Sequence, residues 1–312
     1  MKKKILALVM ATISALSFLT ACSKNEPEFF YIGYSYENSN DFFSEREQPT
    51  GAEPSNELKE RVEDIFKTLC EQYNLQKELP KIVVLTRAQA EEVWGTTEDG
   101  GDLAQYNNGV LYLIEESQDG VIAHELCHYL SDNGKLDGLF YQTDNVILGR
   151  YLNEGVTNYF STKIFPHNED HYTIYEYETH VAKILSIVYG EEKLKNAFFS
   201  GNPEELREDI NECLQKYYEV YPLIDVGIPM YAFEAMATSL DTFSKAYAYA
   251  LQEFAAGQDY QEDVALSLRE AQSVEEMLVF YAREKGVEKE VKKEIEQFLN
   301  SSLVPFNFKE LF

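Results

Sequence analysis

The chain has 312 residues, with 27 Lys+Arg against 54 Asp+Glu and a net charge of −27. So acidic a surface repels phosphate backbones and excludes nucleic-acid binding. Ordinary apolar content with 22 Tyr and 19 Phe is enough for one large core or two packed lobes.

The first 22 residues read MKKKILALVMATISALSFLTAC, in which Lys2, Lys3 and Lys4 precede a short apolar run that closes in small residues before a cysteine. A basic start, an apolar stretch too short to span a bilayer and a small-residue end are the pattern of an export signal. Leu19-Thr20-Ala21-Cys22 resembles a bacterial lipobox. That resemblance implies cleavage before Cys22 and lipidation of its thiol. The expected location is therefore the extracytoplasmic face of a membrane, held by the lipid at Cys22. Loss of residues 1–21 removes three lysines and no acids, which takes the net charge from −27 to −30. Anionic lipid repels such a surface, so the lipid and not a basic patch must make the attachment. Cys70, Cys127 and Cys213 remain. An odd number argues against a disulfide framework, with one bridge left open.

Residues 22–55 mix acidic, Gly and Pro residues with scattered aromatics and read as a tether, although Phe29, Phe30, Tyr31 and Tyr34 offer a cluster that can pack on the domain. Ser55 or Asn56 caps a helix carrying Leu58, Val62, Ile65, Phe66, Leu69 and Tyr73 at helical spacing, and Pro80 is expected to end it. Lys81 to Thr86 has strand composition. A short helix over Gln89 to Trp94, a Gly-rich loop and a hairpin turn at Asn107-Asn108-Gly109 follow, then a strand over Val110 to Ile114. Helical patterns dominate from there to the C-terminus. The expected fold class is α+β: a small mixed sheet first, a mainly helical part after it.

The chemistry centres on VIAHELCHYL, residues 121–130. Ser117 to Gly120 supply N-cap material and Ser131 to Gly134 a stop, so the stretch is a helix. His124 and His128 then lie one turn apart on one face and can share one Zn²⁺ through neutral imidazoles. Glu125 is rotated about 100° from His124, beside such a metal without ligating it, where a general base belongs. Cys127 points about 100° away from His128 and is expected to be a small buried apolar group. Zinc needs a third protein ligand and an open position. The candidate is Glu154 in GRYLNEGVTNYFSTK, on a second helix over about residues 146–165 whose apolar face is Ile147, Tyr151, Leu152, Val156, Tyr159 and Phe160. The intervening residues suffice for a loop and an antiparallel return.

His124, Glu125 and His128 followed by Asn153-Glu154 resemble the gluzincins, the zinc metallopeptidases of thermolysin-like and aminopeptidase-like type. The resemblance implies one Zn²⁺ per chain, hydrolysis of peptide bonds in a peptide or protein substrate, and a thermolysin-like fold. It divides the remainder into a zinc-binding α+β part over residues 56–165 and a helical part over residues 166–312. It also implies an edge strand that pairs with an extended substrate: Val110 to Ile114, a neighbour of it, or neither if that strand is interior. In thermolysin-like members an aspartate four residues after the metal glutamate supports a ligand histidine. Asn158 stands there instead, able to accept an imidazole N–H but without the charge. The oxyanion donor comes from downstream helices in that family, and Tyr175, then His171, are the candidates in HNEDHYTIYEYETHVAKIL. Beyond Glu191 the helices are amphipathic, with Met230, Phe233, Met236, Leu240 and Phe243 expected as core and EKGVEKEVKKEIEQ as a solvated face. A monomer is expected. The alternative reading is a surface lipoprotein that keeps the scaffold without catalysis, to which the Asn158 departure leans; a tyrosine-rich interaction protein without metal is a further one.

Overall fold

The computed structural model describes residues 49–94, 104–134, 138–139, 141–142, 147–166, 175–220, 232–257 and 259–300. Cys22, the aromatic cluster at Phe29 to Tyr34, His171 and Met230 lie outside these. The fold is mostly helical with a small mixed sheet, the α+β class expected. No helix among the described residues is long and apolar enough to cross a membrane.

Helix α1 (Asn56–Tyr73) starts where Ser55 Oγ accepts the Leu58 N–H at 3.1 Å, a side-chain acceptor for one of the orphan amides of the first turn. It stops six residues before Pro80, because Asn74 takes the left-handed conformation (φ 54°) and its N–H returns to the Cys70 and Glu71 carbonyls. Strand β1 (Lys81–Val84) and the short helix α2 (Arg87–Trp94) follow. Strands β2 (Ala104–Asn107) and β3 (Val110–Leu113) form the hairpin announced by Asn108-Gly109, both at positive φ. The sheet order is β1-β3-β2, with β3 parallel to β1 and antiparallel to β2. Val110 to Leu113 is therefore interior, and the edge strand beside it is β2.

Both faces of β1 and β3 are covered, which is why these strands read as apolar runs instead of alternating. Ile82, Val84, Leu111 and Leu113 join the main core; Val83, Val110 and Tyr112 pack with Ala90 of α2 in a smaller cluster.

Helix α3 (Asp119–Ser131) carries the histidine motif. Lys77 ends it from outside, donating to the Tyr129 and Asp132 carbonyls, a cation at the negative end of a helix. A two-residue ladder joins β4 (Tyr141–Gln142) to β5 (Ile147–Leu148). The second helix of the motif, α4, spans Arg150–Thr162. It is shorter than expected at its start, since Ile147 belongs to β5 and Gly149 turns the chain at φ 82°. Leu152, Val156 and Phe160 are fully buried, and Tyr73 Oη donates to the Phe160 carbonyl at 2.5 Å.

The remainder is helical: α5 (Glu176–Leu185), a π-helical segment (Ser186–Gly190), α6 (Glu191–Phe199), α7 (Glu204–Val220), α8 (Ala232–Ala255), α9 (Gln261–Lys285) and α10 (Glu288–Asn300). Phe233, Met236, Leu240 and Phe243 are core as expected. The charged run near residue 290 is split by Gly286 (φ 78°) at the end of α9, and it buries Val291. One apolar core runs from Leu58 of α1 to Val291 of α10, so the divide expected near residue 165 is no break in it. Cys70, Cys127 and Cys213 are free thiols, and Cys127 is fully buried within the core.

Candidate metal centre

Three donors converge between α3 and α4. His124 Nε2 and His128 Nε2 are 3.2 Å apart, and Glu154 Oε2 lies 3.2 Å from each. All three groups are largely buried, with side chains 10%, 9% and 14% exposed. Helix α4 brings the glutamate against the two histidines. Among the described residues this is the one cluster of three or more His, Cys, Asp or Glu side chains that can hold a metal. Donors about 2.0–2.1 Å from a tetrahedral ion stand roughly 3.3–3.4 Å from one another, so the separations here fit such an ion. Two imidazoles with a carboxylate suit Zn²⁺ and its neighbours in the first transition row.

The ring of His128 is oriented from behind. Thr157 Oγ1 is 3.5 Å from its Nδ1, and Asn153 Nδ2 is 3.4 Å from the same atom. Thr157 has committed its proton to the Asn153 carbonyl at 2.8 Å, so toward Nδ1 it offers lone pairs. Those lone pairs favour the tautomer with the proton on Nδ1, in which the Nε2 lone pair would face the other two donors. The Asn153 amide is the competing donor, held because its Oδ1 already accepts the Leu139 N–H at 2.8 Å. The amide of Asn158 donates to Thr179 Oγ1 at 2.8 Å and ties α4 to α5.

Glu125 sits beside the triad, and its Oε2 accepts the backbone N–H of Tyr106 at 2.6 Å. Because Asn107 and Val110 close the two-residue hairpin, Tyr106 and Ala104 turn their backbone groups away from β3. The carboxylate thus takes an outward N–H of β2. Burial pushes the Glu125 carboxyl up from its usual value, His124 and His128 oppose this, and Glu154 adds to it. Glu154 has the opposite balance: burial would raise it, but the charge and hydrogen bonds of the two histidines hold it well below the usual carboxylate range.

Tyr175 stacks on His124, with ring centroids 5.9 Å apart and planes 11° off parallel, and meets Tyr151 edge-on. The nearby Glu154 charge, then burial, pushes its phenol well above the ordinary value, so it stays protonated. The other candidate donor, His171, lies outside the described residues. Sequence reasoning did not single out Thr157 or the Tyr106 amide. The threonine is one turn after Asn153 on the same helix, a signal that was there to be used; a backbone amide leaves none.

Comparison of the chain with family models, curated proteins and solved structures gives no match.

Proposed function

We propose that the chain is an exported, lipid-anchored zinc metallopeptidase of gluzincin type. His124, His128 and Glu154 hold one Zn²⁺, and Glu125 is the general base. The observation that carries this reading is the convergence of three donors at tetrahedral spacing beside a fourth, non-ligating carboxylate. A metal there supplies Lewis acidity to a substrate carbonyl and to the attacking water. Glu125, its proton affinity raised by burial, takes the proton of that water and passes it to the leaving amine. Its bond to Tyr106 fixes its aim, since a base out of hydrogen-bond reach does nothing.

Tyr175, kept protonated beside His124, is the donor to the developing oxyanion. The outward-facing backbone of Ala104 on β2, the edge strand among the described residues, supports an extended peptide as substrate, added as a strand along the site. Lipid at Cys22 holds the enzyme at the extracytoplasmic membrane face.

The deciding experiment is the zinc content of wild type and Glu154→Ala by elemental mass spectrometry after dialysis. One zinc per chain in wild type and little in the variant is expected. Equal retention would move the third ligand elsewhere. Absence of zinc from both after reconstitution would replace the enzyme with a metal-free binding lipoprotein. With zinc present, an inert response to a peptide library would leave a metal-holding scaffold without catalysis.

A further inference from the structure

Helix α4, which carries Glu154, has no cap of its own. Gly149 precedes it in the left-handed conformation and has no side chain to offer, while the first N–H groups of any helix lack an internal acceptor. The acceptor comes from 90 residues downstream: Asp241 Oδ1, on α8, takes the Tyr151 N–H at 3.1 Å. Asp241 accepts the Gly149 N–H as well. The carboxylate is 9% exposed and faces the positive end of α4.

The same helix α8 also holds α5, which packs on α4. Ser244, one turn beyond Asp241, donates to Glu178 Oε1 on α5. In turn α5 crosses α4 at Gly155, the residue after Glu154. The Glu178 carbonyl oxygen lies 2.2 Å from where a Cβ at Gly155 would be, so only glycine permits the approach. Glu154 is the fifth residue of a 13-residue helix. Unwinding of the first turn would therefore reach the ligand, although no ligand is changed.

We propose that Asp241 is a positioning residue for the metal centre: by capping α4 across the tertiary structure it sets Glu154 against His124 and His128. The C-terminal helices then belong to the metal site without contributing a ligand to it. This rests on the reading of that triad as a metal site.

The test measures Zn²⁺ affinity of the full-length chain by competition with a chelating indicator, together with the visible spectrum of the Co²⁺-loaded protein. Asp241→Ala is expected to lose tenfold or more in affinity and to alter the Co²⁺ bands, the range seen when groups orienting ligands are removed. Asp241→Asn keeps an oxygen acceptor and stays within about threefold of wild type. Asp241→Glu displaces the carboxylate by one methylene and carries the test if the alanine variant fails to fold; its affinity falls too. Tyr281→Phe, which removes a hydrogen bond to Asp209 on α7, lowers the melting temperature without changing affinity. Wild-type affinity in a folded Asp241→Ala or Asp241→Glu protein overturns the proposal, as does an equal loss of affinity in Tyr281→Phe. Failure of the metal reading itself looks different: wild type and Glu154→Ala then bind zinc equally or not at all.

Discussion

The N–H of Tyr106 donates to Glu125 Oε2 at 2.6 Å, which joins strand β2 to the carboxylate that flanks the three candidate metal donors. Glu125→Gln keeps an oxygen for that bond and removes the proton acceptor. Peptide hydrolysis is expected to fall by about 10²–10⁴-fold, while zinc content stays that of wild type. A variant that retained hydrolysis would show that Glu125 is not the base; cleavage of a peptide library followed by mass spectrometry reads this directly.

Thr157 is expected to set the tautomer of His128. Thr157→Val removes the lone pairs facing Nδ1 and leaves the Asn153 amide as the neighbour that donates its proton to the ring. Zinc affinity should drop roughly tenfold, and Thr157→Ser should restore it. Equal affinity for all three proteins in a chelator competition would dismiss the role.

Gly155→Ala tests the α4–α5 crossing. A methyl placed 2.2 Å from the Glu178 carbonyl oxygen forces the helices apart. The metal-free protein should lose about 1–3 kcal/mol in urea denaturation. An unchanged midpoint would mean that the crossing is looser than its geometry.

His180 is expected to contribute to the loss of stability on the acid side. Its ring is buried against Phe298, and among the described residues neither nitrogen has a hydrogen-bond partner. Burial, with Lys183 adding, lowers its pKa from 6.5 to about 3. Glu294 is 3.9 Å away but engaged with Lys183 at 2.7 Å, so it does not reverse this. Below pH 6.5 the unfolded chain takes a proton that the folded one refuses until about pH 3, and stability is lost as pH falls through that window. Glu178 and Glu275, raised by burial from 4.5 to about 7, act the other way: their contribution is full below pH 4.5 and is lost as pH rises through 7. His180→Phe is expected to flatten the decline between pH 6 and 4 by about the share of one titrating group. Chemical denaturation at a series of pH values measures it, and a slope equal to that of wild type would remove His180 from the account.

The sequence by itself determined the local pieces. Helical spacing placed α1 and α3, Asn108-Gly109 placed the hairpin, and the four-residue separation put His124 and His128 on one face, because each of these follows from backbone periodicity and turn chemistry within a few residues. Glu154 was legible as a candidate through the Asn-Glu pattern and a loop long enough to return. Tertiary structure decided the rest. It made β3 interior and β2 the edge among the described strands, and set Thr157 and Asn153 behind His128. Asp241 and Tyr106 could not be read from a linear chain: one acts from 90 residues away and the other through a backbone N–H that every residue but proline possesses. Contacts of that kind exist only once the shared core has packed α8 and the sheet around the two helices.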